Sequence, residues 1–145
     1  MKRPRKRGGR SLILKTVGVV TMIRIGWLLL AGGCGTLARY TLAGLAQRVY
    51  GGELPVGTFA VNALGCLLFG LVWTLADERL IISGETRFLI LTGFMGAFTT
   101  FSTFAFESSA LLRDSEWLLA ASNVLGHNLI GIFAVLFGMV LGRLI

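Results

Sequence analysis

The chain has 145 residues, 54% hydrophobic and only 14% charged, with a mean hydropathy of +0.78. A soluble domain carries about 25% charged residues, so this deficit excludes an ordinary water-soluble fold, and the length excludes more than one domain. The formal net charge of +7 comes from the first residues: Lys2, Arg3, Arg5, Lys6, Arg7, Arg10 and Lys15 are seven of the fourteen basic side chains, and from Thr16 onward seven basic residues face seven acidic ones.

In chain order, residues 1–22 read as a basic tail. Beside hydrophobic spans, such a tail suits anionic lipid or the control of topology, and nucleic acid is not the partner. A first span over about 23–48 follows; its apolar run is interrupted by Arg39 and resumes through 40–46. A signal peptide would fit the basic start but not the spans that come later. Gly33, Gly35 and Ala38 imitate a GxGxxA dinucleotide turn, but that motif needs a βαβ unit around it, and more membrane helix follows here. Gly51, Gly52 and Pro55 mark a turn.

A spanning helix needs about 20 predominantly apolar residues. The charge-free runs 56–76 (21 residues), 88–106 (19) and 117–142 (26) each approach or exceed that length. They place a second span over 56–76, a third over about 88–112 and a fourth over about 117–145. A polar connector with Asp77, Glu78, Arg79, Glu85 and Arg87 separates the second and third, and residues 113–116 link the last two. The fold class is therefore all-α integral membrane, with four transmembrane helices. Cys34 and Cys66 lie inside spans without metal-ligand spacing and read as small apolar filler.

The chain has twenty glycines, and each of the four spans carries some of them. Small residues let membrane helices approach closely, because lipid gives no hydrophobic drive for their association. The third span differs: residues 92–104 mix Gly93 and Gly96 with Thr99, Thr100, Ser102, Thr103 and four phenylalanines. That mixture weakens a continuous helix, and unwound backbone at membrane depth is tolerated where it is buried in protein or lines a cavity. A third helix broken mid-membrane is the preferred reading over an intact one that uses its hydroxyls for packing.

Asn62 sits mid-span with two N–H donors and one acceptor, suited either to an interhelical bond or to an ion. Asn123 and His127, four apart, share a face of the fourth span that Gly131 continues. Arg39 and Glu107 are the ionisable residues least comfortable in lipid, although both lie near span ends, where snorkelling is available. Phe101 and Phe104 flank Ser102 and Thr103, and the positive edge of a phenylalanine ring meets an anion favourably, although core packing is its commoner use. With hydroxyls, amides, ring edges and one arginine but almost no buried carboxylate, this inventory favours anions over cations. No nucleophile–base pair or metal-ligand cluster suggests an enzyme.

Taken together, these residues resemble the CrcB/Fluc fluoride channels, from about Met22 to the C-terminus. The likeness is carried by Gly32-Gly33, Gly35 and Arg39-Tyr40, by Pro55, Gly57-Thr58, Val61-Asn62 and Gly65, and by Gly93, Gly96 and Thr99-Thr100-Phe101-Ser102-Thr103-Phe104 with Glu107. The family commonly shows a further glycine at the place of Ala97. The resemblance implies an antiparallel dual-topology homodimer with two fluoride pores, inserted multi-pass in the cell inner membrane. It implies a structural sodium ion (Na+) at the dimer interface, held by backbone carbonyls of Gly96 and Thr99. It implies a fluoride path using Asn62, Phe101 and Phe104, with polar positions at Thr103, Glu107, Asn123 and His127 and Arg39 near the entrance. The implied role is passive fluoride efflux that relieves cytoplasmic toxicity.

Dual insertion requires little Lys/Arg asymmetry. From Met22 on, Arg24, Arg79, Arg87 and Arg143 on one side face Arg39, Arg48 and Arg113 on the other, nearly balanced; the tail makes it eleven against three. The expectation is that translation starts at Met22, so that 1–21 is an extension outside a 22–145 channel domain; a native mass that includes Met1 would sink it. With the tail present, the chain would instead be a fixed-orientation subunit beside an oppositely inserted paralogue. Two other functions compete. A small four-helix drug or cation transporter should carry a membrane-embedded glutamate in its first span, where this chain has Arg39. A non-transporting assembly subunit would explain the glycines but not Asn62 with the 99–104 motif.

Overall fold

The structure, a computed structural model, describes the backbone of residues 8–145 and side chains from residue 19. The element order is α1 (Gly8–Tyr50), α2 (Val56–Asp77), α3 (Gly84–Phe88), a π-helical segment (Leu89–Met95), α4 (Gly96–Phe98), α5 (Phe101–Arg113) and α6 (Trp117–Leu144). Among the described residues, four helices are long and apolar enough to cross a membrane: Val19–Tyr50, Val56–Asp77, Gly84–Arg113 and Trp117–Leu144. Among the described residues the fold is thus all-helical, and its third span is interrupted, as the mixture of glycines and β-branched residues implies. The expected tail lies partly outside the described residues, at 1–7; from Gly8 the backbone is already helical. At 1.5 Å per residue α1 reaches about 65 Å, well beyond a hydrocarbon core of about 30 Å.

Helix ends need partners for their free backbone groups. Between α1 and α2 the Gln47 side chain supplies them: Nε2 donates to the carbonyls of Gly52 (3.0 Å) and Leu54 (3.2 Å), and Oε1 accepts from Gly57 N–H (3.1 Å). At the start of α3, Ser83 caps the helix by accepting from Thr86 N–H at 3.2 Å.

The helices pack through small residues. α2 and α6 touch reciprocally: a Cβ on Gly70 would overlap the Val135 carbonyl, and one on Gly138 would overlap the Leu67 carbonyl. Val61, Met95 and Phe98 form the buried core, with Ala38, Leu42 and Ala43 of α1 packed against it. Outside it, large apolar side chains such as Leu29, Leu118 and Phe133 are exposed, as a lipid or partner environment requires. Because Gly70 and Gly138 each lie against backbone of the other helix, no rotamer change can relieve an added side chain. Gly138→Val is expected to destabilise the fold by roughly 1–3 kcal/mol. Thermal unfolding in detergent would read this as a lowered midpoint, with Gly33→Ala, where a Cβ meets nothing within 4 Å, as the silent control.

Three ion pairs gather at the connector between α2 and α3. Arg24 of α1 bonds Glu85 through two nitrogens (2.5 and 2.8 Å), Arg87 bonds Asp77 (2.8 Å), and Arg143 of α6 bonds Glu78 (2.7 and 2.9 Å). The Arg143 guanidinium holds the Glu78 carboxyl below the usual carboxylate range. A depressed acid stabilises the fold above its unfolded value and stops doing so as pH falls through its folded one. The tether from α6 to the connector is therefore present at neutral pH and released in acid.

Candidate functional site

The site is built around the interruption of the third span. Thr99 and Thr100 are both extended, with φ/ψ of −90°/159° and −149°/111°. Two capture events hold them there. Asn62 of α2 pairs with the Thr100 peptide on both edges: its Oδ1 accepts from Thr100 N–H (2.9 Å), and its Nδ2 donates to the Thr100 carbonyl (3.1 Å). The Thr100 hydroxyl then caps α5 by accepting from Thr103 N–H (3.3 Å), and it lies 2.8 Å from the Thr103 hydroxyl. Gly65 makes room, since a Cβ there would overlap the Thr99 methyl group.

These bonds decide which carbonyls are released. In a continuous helix, Thr100 N–H would bond to the Gly96 carbonyl and Thr103 N–H to the Thr99 carbonyl. Both donors are diverted, the first to Asn62 and the second to the Thr100 hydroxyl. Gly96 and Thr99 therefore present carbonyl oxygens without their helical donors. Oxygen donors of this kind suit a hard cation, so the residues present fit a bound alkali ion.

Beside the break lies a cavity of about 380 Å³, lined among others by Asn62, Gly96, Thr99, Thr100, Phe101, Phe104 and His127. The Phe101 and Phe104 rings sit 5.6 Å apart, tilted by 55°. Among the described residues, no carboxylate lines this cavity. Asn62 Nδ2 has spent one of its two hydrogens on Thr100, which leaves the other available.

The structure thus brings Asn62, Gly96, Thr99, Phe101, Phe104 and His127 to one cavity. Thr103 stands just behind, in the cap of α5. Glu107 belongs to a second, outer cavity of about 470 Å³ with Glu53, Asp114 and Glu116. Its Oε1 accepts from the Thr58 hydroxyl at 2.6 Å, and its Oε2 is buried without a hydrogen-bond partner. Arg39 is half-buried on α1, and no ion pair joins it to Glu107. Asn123 is 2% exposed and donates to Ser108 (3.0 Å). Sequence reasoning placed Thr58 in the family motif without a role and did not single out Ser108, because nothing local marks their partners, 49 and 15 residues away. Thr100 as a cap was within reach, since a threonine followed three residues later by a helical N–H at a restart is an N-cap pattern.

A family model described as CrcB-like protein, Camphor Resistance (CrcB), matches residues 26–139. Among curated relatives, a protein of Nitrosococcus oceani named fluoride-specific ion channel FluC is 57% identical over 122 residues, covering 84% of this chain and 98% of that one. Proteins with the same name are similar in Solidesulfovibrio magneticus (52% over 122 residues, 84% and 98% covered) and Magnetococcus marinus (40% over 123, 85% and 100%).

Proposed function

The chain belongs to the CrcB-like family, and from that premise we propose that it is a fluoride-specific ion channel through which fluoride leaves the cell passively. It is a multi-pass membrane protein, and the cell inner membrane is its proposed location. The observation that carries the reading is a cavity beside a broken third span that is lined by an amide side chain and two phenylalanine rings and, among the described residues, by no carboxylate.

Fluoride is small and strongly hydrated, so a pore must replace its water with donors. Asn62 supplies a directed N–H, and the Phe101 and Phe104 edges carry partial positive charge. Such groups attract the ion without a full charge that would trap it, and conduction needs binding weak enough for release. Thr103 tunes the α5 cap behind them. Glu107, Asn123, His127 and Arg39 complete the polar route toward either side. Fluoride enters the cell as its neutral acid, ionises in the cytoplasm and returns as the anion.

The working unit is a homodimer of antiparallel copies, in which the open side of the cavity meets a second chain. An oppositely oriented paralogue would satisfy the same geometry. The Gly96 and Thr99 carbonyls of the two copies would hold a sodium ion, which supplies a fixed positive charge tying the two breaks together.

Fluoride efflux from proteoliposomes, with chloride as the control ion, tests the assignment. The expected result is fluoride-selective flux under an outward gradient. Well-folded, well-incorporated protein that passes no fluoride would overturn it.

A further inference from the structure

We infer that Ser108, Asn123 and His127 form a closed clamp that fixes Phe104 at the cavity, and that through it they act as positioning residues for the ion's path. This rests on the fluoride-channel reading above and assigns within it a role to the α5–α6 seam.

The circuit begins and ends at Phe104. The Ser108 hydroxyl donates to the Phe104 carbonyl one turn earlier on α5 (2.8 Å). The same oxygen accepts from Asn123 Nδ2 of α6 (3.0 Å). The Asn123 main-chain carbonyl lies 3.0 Å from His127 Nδ1. The His127 ring then returns to the Phe104 ring, with centroids 4.4 Å apart and planes tilted by 40°. From the far side, Phe59 of α2 meets the imidazole edge-on, at 5.2 Å and 87°. Phe104 is thus held at its main chain by a hydroxyl and at its ring by an imidazole, and both holds are anchored on α6.

Burial and proton chemistry fix how the clamp is held. Ser108 is 7% exposed and Asn123 2%, so both are closed inside the seam. A carbonyl oxygen only accepts, so the Nδ1 facing it carries the ring's hydrogen. Nδ1–H is then spent on Asn123, and Nε2 is buried at the other side of the ring. What remains is the ring as a solid surface. Aromatic pairs prefer offset or tilted contact, so the imidazole restricts the angles the Phe104 ring can take and hence where its positive edge points.

The test measures fluoride and chloride currents across planar bilayers for the full chain and its His127→Ala, His127→Phe and Ser108→Ala variants, each shown to elute from gel filtration as wild type does. Aromatic contacts are worth enough that His127→Ala is expected to lose about tenfold or more of fluoride current, with Ser108→Ala losing a comparable share. His127→Phe keeps a ring and no N–H, and is expected to recover to within about threefold of wild type. Should His127→Phe conduct as poorly as His127→Ala, the imidazole nitrogens are the working groups and the clamp is wrong. It is equally wrong if His127→Ala and Ser108→Ala both conduct like wild type. Wild-type protein without fluoride current would instead overturn the channel reading on which the clamp rests.

Discussion

Asn62→Ala is expected to abolish fluoride flux while leaving a folded membrane protein. The substitution removes one side chain but orphans two backbone groups, because Asn62 satisfies both Thr100 N–H and Thr100 C=O. Leaving a buried donor or acceptor unmade costs about 1–3 kcal/mol each. The third span has one inexpensive way to recover this: Thr100 N–H can turn back to the Gly96 carbonyl and let the helix close across the break. Closing it withdraws the carbonyl proposed to face sodium and moves Phe101 and Phe104 off the cavity. A flux loss of roughly a hundredfold follows if the repaired helix is favoured by about 2–3 kcal/mol. Asn62→Asp is the companion variant. A carboxylate can still accept from Thr100 N–H but cannot donate to the Thr100 carbonyl, and it sets a negative charge in an anion's path. Proteoliposome efflux would read both, and flux from either variant near the wild-type level would separate Asn62 from the pathway.

The sequence carried the spans because hydrophobic run length is a local property. Residues 56–76 and 117–142 had to be helical in lipid, whatever they packed against. The break was legible for a related reason, since Thr99, Thr100 and their neighbours combine low helix propensity with an N-cap residue in a row. The start of α1 was not. Hydropathy marks where a helix enters lipid, and it is blind to a basic stretch that continues the same helix from Gly8. Nor did any residue announce the π-helical turn at Leu89–Met95, whose composition differs little from α-helix.

Long-range polar pairing was the least legible part. Asn62 could be seen as a buried amide but not as the partner of Thr100, 38 positions away. Likewise, Arg24 was counted for topology, while its pairing with Glu85, 61 positions away, emerges only when α1 lies against the third span. Asn123 and His127 were recognised as one face of α6. That His127 turns to Phe104 and Asn123 to Ser108 depends on how α6 is rotated against α5, which spacing alone leaves open.

Phe101→Leu separates an ion pathway from a packing role more cleanly than any core substitution can. Phe101 is 78% exposed in the chain, although it lines the cavity beside Asn62 and Phe104. A side chain that exposed contributes little to the chain's own fold, so Leu in its place should leave the unfolding midpoint of the subunit almost unchanged. What Leu cannot replace is the ring's positive edge, and branched aliphatic carbons offer an anion nothing in exchange. Losing one aromatic edge contact of about 1.4 kcal/mol lowers fluoride flux by about tenfold. Phe101→Tyr, which keeps the ring, should lose far less. Paired measurements of efflux and thermal midpoint decide the matter. A drop in flux at constant stability assigns Phe101 to the path, whereas a parallel fall in both would make it a contact with the second subunit. Unchanged flux would leave Phe104, held from behind by α6, as the ring that meets the ion.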